Sequence, residues 1–420
     1  MTAGYSVRAL AKDTLVITVV TILIFLVVDF FAGSALLSMI RKEGKKDTFR
    51  TSHQRYHHTL QSSYEGPAYW GPFSYKVCTN ASQMKSLCSD TLQDEKHFDI
   101  AFIGDSFTEG VGVPYEDSFV GMVAKAHPEL KIANLGVVSY SPTIYLKKLE
   151  DFLKRGYTFK KIIVFVDIGD IMDEAQYIED AQGNVLLATE QIKPGVIALI
   201  KRKAKKNFPL AYESIFQIKQ ATSQIREKST VPSSPPRSAG APSTMELSHP
   251  VTLEPVGSER KIVEIPIVQS AAQTPSTKTS KEPWIYEREY ARSAWTYNLD
   301  APNYGDLGVR RSIEKAVSQM ERVAELLKAH NTALSVGVYP WPAQLIFDKE
   351  DSLQVQIWKN FCENRCVDFY NAFPLFFEAM RSSGLDATIA KYYFPGDMHF
   401  GREGNALVAE TILRKPLAAP

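Results

Sequence analysis

Two regimes of apolar patterning divide this chain. From Thr14 to Val28 every residue is apolar or Thr; Asp29 interrupts, and Phe30 to Ile40 is largely apolar again. That run is long enough to cross a hydrocarbon layer of roughly 30 Å. It predicts a transmembrane anchor over 13–40 behind a short polar tail, 1–12. The run is too long for a cleaved signal peptide and lacks a small-x-small site near its end. Asp29 is costly at mid-bilayer and tolerable near one face. Beyond the anchor the pattern changes. Residues 41–97 show no clear period of 2 or 3.6 and read as a linker and loop-rich collar, with a short strand near Ser74–Val77.

From residue 98 short apolar runs alternate with amphipathic ones. Strands are predicted at Asp99–Ile103, Lys131–Leu135 and Lys161–Val166, with helices around Ser118–Ala126 and at Thr143–Lys154. The pattern resumes with a helix at Val309–His330, a strand at Ala333–Tyr339, a helix at Ser352–Asn364, a strand at Val367–Tyr370 and a last helix at Asn405–Leu413. This alternation predicts a three-layer α/β/α sandwich on a parallel, doubly wound sheet. Its two parts, 98–180 and 306–420, are separated by an insertion, 181–305. Within the insertion, 223–283 is rich in Ser, Pro, Thr and Ala, cannot bury a core, and is expected to be disordered. The aromatic set Trp284, Tyr286, Tyr290, Trp295, Tyr297 and Tyr304 is expected to pack back onto the sheet rather than to serve as a sugar-stacking platform.

Charge excludes little. There are 48 Lys and Arg against 47 Asp and Glu, a net charge of +1, which gives no global signal for nucleic acid. The run Lys201 to Lys206 is a solvated helix face, or a contact for anionic lipid or polymer. The adjacent His57 and His58 lack a second ligand cluster and read as packing or surface residues; no metal and no organic cofactor is expected. Four cysteines fall in two close pairs, Cys78 with Cys88 and Cys362 with Cys366. They suit two small disulfides in an oxidising compartment, or four reduced thiols. Arg41, Lys42, Lys45, Lys46 and Arg50 follow the anchor while only Arg8 and Lys12 precede it, which by itself places the large domain in the cytoplasm. The cysteines argue the other way.

The candidate chemistry sits at two ends of the α/β pattern. Ser106 follows the first core strand on the turn Gly104-Asp105-Ser106, at the carboxyl edge of the sheet, where open α/β folds bind ligands. It reads equally as a nucleophile or as a capping Ser at a helix start. Asp397-Met398-His399 lies on a loop before the last helix. An Asp and a His two apart can face the same side: the carboxylate holds the imidazole and the imidazole takes the serine's proton.

Gly104-Asp105-Ser106-Phe107-Thr108-Glu109-Gly110, Asn134-Leu135-Gly136 and Asp397-Met398-His399 together resemble the first, second and last blocks of the SGNH (GDSL-type) hydrolase superfamily. The resemblance covers 98–180 and roughly 305–415. It implies Ser106 as nucleophile, His399 as base, Asp397 as its orienting carboxylate, and the N–H groups of Ser106 and Gly136 as oxyanion donors. The third block departs. Where the superfamily has Gly-x-Asn-Asp this chain has Asp167-Ile168-Gly169-Asp170, so Gly169 stands in place of the donor Asn, and any oxyanion role at that position is weakened. Asp167 and Asp170 read either as repurposed groups or as turn caps.

Together with the anchor, the chain looks like membrane-bound proteins that move or remove acyl groups on envelope polysaccharides, such as the alginate O-acetylation proteins. That likeness implies an exported, periplasmic or extracytoplasmic domain on the inner (plasma) membrane. It implies an esterase or O-acyltransferase acting on acylated, chiefly acetylated, carbohydrate. It also suggests a membrane-bound acyltransferase or export complex as a class of partner. The rival expectation is a non-catalytic scaffold or polysaccharide-binding member of the same fold.

Overall fold

The computed structural model describes residues 7–41, 48–71, 73–191, 196–215, 292–301 and 304–417. The expected disordered stretch, 223–283, lies outside them. The chain divides into two compact units, Met1–Lys45 with Ile192–Leu247, and Lys46–Gln191 with Ser248–Pro420.

The first unit is built on one helix, Val7–Arg41, whose segment Lys12–Leu37 is long and apolar enough to cross a membrane. A signal sequence passes the same test of length and composition. Its one buried carboxylate has a local explanation. Asp29 accepts the backbone N–H groups of Leu210 and Ala211 at 2.9 and 2.8 Å. These are orphan donors at the start of a helix at 209–215, so Asp29 acts as a side-chain cap supplied from a distance. The basic run lies in the preceding helix, Val196–Asn207.

The second unit opens with two antiparallel hairpins that sequence periodicity reduces to one short strand. They are β1 (Arg50–His53) with β2 (His57–Leu60), and β3 (Glu65–Trp70) with β4 (Phe73–Cys78). The core sheet follows: β5 (His97–Ile103), β6 (Ile132–Asn134) and β7 (Thr158–Phe165). A further small hairpin, β8 (Tyr177–Glu179) with β9 (Val185–Leu187), and the helix Ala188–Gln191 extend regular structure past residue 181. The core sheet is completed by β10 (Ala333–Val338) and β11 (Asp368–Asn371). All its pairings are parallel, in the order β11-β10-β7-β5-β6. Its strands are buried along nearly their whole length, as a sheet covered on both faces requires. Pro142–Lys154, Asp170–Gln176 and Gly308–Ala329 pack together as one layer, and Phe119–Ala126 packs with Arg402–Leu413 in another.

This order places the reversal of strand succession between β5 and β7, where open α/β sheets bind ligands. The turn carrying Ser106 leaves β5, and the turn Asp167–Asp170 leaves β7. Both cysteine pairs are bonded: Cys78–Cys88, and Cys362–Cys366 across the turn that ends the helix Leu353–Cys362.

Candidate active site

The strand β5 ends in Gly104, whose bare Cα allows close approach. A Cβ there would come within 2.9 Å of the Phe165 carbonyl on β7. Asp105 then caps a helix of only four residues, Ser106–Glu109, by accepting the Phe107 N–H at 3.0 Å. Gly110, at φ +75°, ends it. The helix expected around Ser118–Ala126 is a separate element, Phe119–Ala126, capped by Ser118. A helix as short as Ser106–Glu109 carries little macrodipole, and the donors at Ser106 must be counted one by one.

Ser106 and His399 meet across 293 positions of sequence: His399 Nε2 lies 2.7 Å from Ser106 Oγ, both residues being buried. On its other side His399 Nδ1 lies 2.5 Å from Asp397 Oδ1. The loop bearing the pair is fixed by the Asp397 N–H to the Phe394 carbonyl, 3.0 Å, and the Phe394 N–H to the His399 carbonyl, 2.9 Å. The imidazole lies face-on to Phe107, centroids 4.6 Å apart, and edge-on to Trp70 at 4.7 Å.

Trp70 is a residue the sequence did not single out for the site. Its Nε1–H donates to Asp397 Oδ2 at 2.8 Å. Burial works to raise the Asp397 carboxyl. The imidazole's hydrogen bond and charge outweigh it, helped by the His399 N–H and Trp70, and hold the carboxyl below its ordinary value.

The collar supplies more than Trp70. His58 Nε2 lies 2.6 Å from the Val138 carbonyl, which can only accept, so Nε2 carries the proton and Nδ1 accepts from His57 Nδ1 at 2.7 Å. Burial lowers the His58 pKa to about 4. The Val138 N–H donates to the fully buried Glu109 at 2.9 Å, and Glu109 is paired with Arg50. The loop after Gly136 is thus clamped at both backbone groups of Val138.

Of the N–H groups near the expected oxyanion, those of Gly136 and Gly169 are already engaged. The Gly136 N–H donates to Asn134 Oδ1 at 3.0 Å, and the Gly169 N–H to Asp167 Oδ1 at 2.6 Å. The Ser106 N–H meets no acceptor among the described residues. Asp167 and Asp170 do cap the turn, Asp167 accepting the Gly169 N–H and Asp170 the Asp167 N–H at 3.0 Å, and both are buried. With Asp105 they form a buried set whose carboxylate oxygens lie within 4.8 Å of one another. Asp105 Oδ2 lies 3.1 Å from Ser106 Oγ, whose proton is committed to His399; Asp105 accepts from Tyr339, Asp167 from Trp341, and Asp170 from Tyr145. Burial, then the negative charge of neighbouring carboxylates, holds Asp167 and Asp170 well above the ordinary carboxylate range. Of the aromatic set, Trp295 and Tyr304 are buried against this unit as expected, and Trp284, Tyr286 and Tyr290 lie outside the described residues.

No family model and no curated protein matches the chain. Solved structures do resemble it. A member of the lipolytic G-D-S-L family from Veillonella parvula DSM 2008 covers 75% of this chain and 96% of its own at 10% identity and a TM-score of 0.35. An acetylxylan esterase from Geobacillus stearothermophilus covers 76% and 93% at 10% identity and 0.34. An α/β hydrolase from the metagenome of Lake Arreo, Spain, covers 76% and 94% at 9% identity and 0.32. The chain is similar to the G-D-S-L hydrolases. At these identities and scores the similarity carries no assignment of substrate.

Proposed function

We propose that this protein is a membrane-anchored serine esterase or O-acyltransferase that acts on acyl, chiefly acetyl, esters of cell-envelope carbohydrate. The observation that carries the chemistry is the hydrogen-bonded series Ser106 Oγ, His399 Nε2, His399 Nδ1, Asp397, with the ring held between Phe107 and Trp70. Ser106 Oγ attacks the acyl carbon as His399 Nε2 takes its proton. Asp397 stabilises the imidazolium, and the Ser106 N–H donates to the tetrahedral oxyanion. Collapse of the intermediate breaks the ester bond, and His399 returns the proton to the departing sugar oxygen. Water, or a second sugar hydroxyl, then attacks the acyl-enzyme with His399 again as base, which gives hydrolysis or transfer. Carbohydrate and an exported location rest on the anchor, the paired cysteines and the likeness to envelope acyl-transfer proteins.

The engagement of the Gly136 and Gly169 N–H groups favours a second reading, a binding member of the fold with little turnover. An organophosphonate serine-hydrolase probe separates the two. The full chain should be labelled, and S106A and H399A should each abolish labelling. Labelling that survives in S106A removes the proposed nucleophile. A wild type that takes no label favours the binding reading.

A further inference from the structure

Resting on that reading of the site, we infer that Arg292 is a catalytic residue, donating to the oxyanion of the acyl group from the place a side chain at 169 would occupy. The need for such a group is local. A tetrahedral oxyanion in a dry site requires several aimed donors; the Gly136 N–H is spent on Asn134, the side-chain donor is missing at Gly169, and the Gly169 N–H is spent on Asp167.

The space is explicit. A Cβ built on Gly169 would come within 2.8 Å of both Arg292 Nη2 and Asp167 Oδ1 and 3.2 Å of the Trp341 ring. The end of the guanidinium therefore lies where the head of a short polar side chain at 169 would begin. Gly169 belongs to the turn after β7, the neighbour of the strand that presents Ser106. Trp341, over which the guanidinium carbon stands at 5.6 Å from the ring centroid, itself stacks on Phe107 beside the nucleophile.

The chain also holds this residue in place. The segment containing Arg292 is the last part of the long insertion and is pinned to the same turn: fully buried Trp295 donates from Nε1 to the Ile168 carbonyl at 2.9 Å. Tyr304 donates its hydroxyl to the Arg292 carbonyl at 2.9 Å. The guanidinium is oriented by Asp173, which accepts from Nη2 at 2.8 Å, and its side chain keeps 28% of its surface exposed. Its Nε–H has no partner among the described residues. A planar, permanently charged fork with spare donors suits a charge that appears only during reaction. The residue types fit together: only a residue without a Cβ at 169 leaves room for this guanidinium.

The test uses full-length protein, p-nitrophenyl acetate and the serine probe. R292Q keeps a polar donor and loses the charge; R292A loses both; R292K keeps the charge without the fork. R292A should lower kcat by about a hundredfold, the scale of one lost oxyanion donor, with KM little changed and the melting temperature close to wild type. R292Q and R292K should lie between. G169N should lose activity, because its side chain meets both the guanidinium and the Asp167 carboxylate. If R292A melts early, R292Q and R292K carry the comparison. Wild-type kcat in folded R292A and R292Q, with Ser106 still labelled at the wild-type rate, overturns the inference and leaves Arg292 as a counter-charge to the buried carboxylates. A wild type that neither hydrolyses the ester nor takes the probe removes the reading of the site itself, and the inference with it.

Discussion

At the scale of single residues, the site depends on groups that orient other groups. Trp70 is the clearest. Its indole N–H occupies the Asp397 oxygen that His399 does not use, so the carboxylate faces the imidazole with both oxygens satisfied. W70F keeps an aromatic edge against the ring and deletes the donor. A hydrogen bond to a charged group contributes roughly 1.5–3 kcal/mol, so kcat should fall by about tenfold or more, with Ser106 still labelled at a reduced rate. The Asp397 carboxyl should also titrate higher. Its folded pKa is depressed in the wild type, so it contributes stability above its unfolded pKa that is lost as pH falls through the folded one. In W70F that acid loss should be smaller and complete at a higher pH, as melts across the acid range would show; an unshifted profile with unchanged kcat would contradict the role given to Trp70. Ser106, Asp397 and His399 were legible in sequence because each sits in a short local pattern whose chemistry needs those residue types together. Trp70 and Arg292 were not. Trp70 reaches Asp397 across 327 positions and Arg292 reaches Asp173 across 119, and neither lies in a segment with a readable period.

At the scale of elements, the buried parallel strands were readable to within a few residues, because burial on both faces demands continuous apolar runs such as Ile100–Ile103. The collar strands were not, because two-stranded hairpins with one wet face contain Pro67, Gly66 and paired histidines and carry little β signal. The helix expected around Ser118–Ala126 is found at Phe119–Ala126, while the segment at Ser106 makes one turn only, because Gly110 in the left-handed region stops it. The disulfides belong to this scale too. Cys78 ends β4 and ties the second hairpin to the loop at Cys88, and Cys362 closes the end of its helix onto Cys366. If the domain is exported, both pairs form in the cell. Alkylation of denatured protein taken directly from cells should then modify no cysteine until a reductant is added, and four afterwards. Free thiols at all four positions without reductant would contradict both the export and the pairing.

At the scale of the whole molecule, two units divide the work. One holds a helix able to cross a membrane, with its buried Asp29 satisfied by the start of a second helix. The other holds the sheet, the collar and the return leg of the insertion, and all the groups of the site come from it. Ser106 comes from the turn after the first core strand, Asp397 and His399 from the loop before the last helix, Trp70 from the collar and Arg292 from the end of the insertion. The parallel order brings these distant segments to one edge, and in the proposed reaction Ser106 carries the acyl group. The most direct measurement is a rapid quench of the full-length protein during turnover of p-nitrophenyl acetate, followed by peptide mass mapping. The account predicts a transient increment of one acetyl group on the peptide containing Ser106, absent in S106A. Turnover with no acetyl on that peptide, or an acetyl on another residue that persists in S106A, would contradict it.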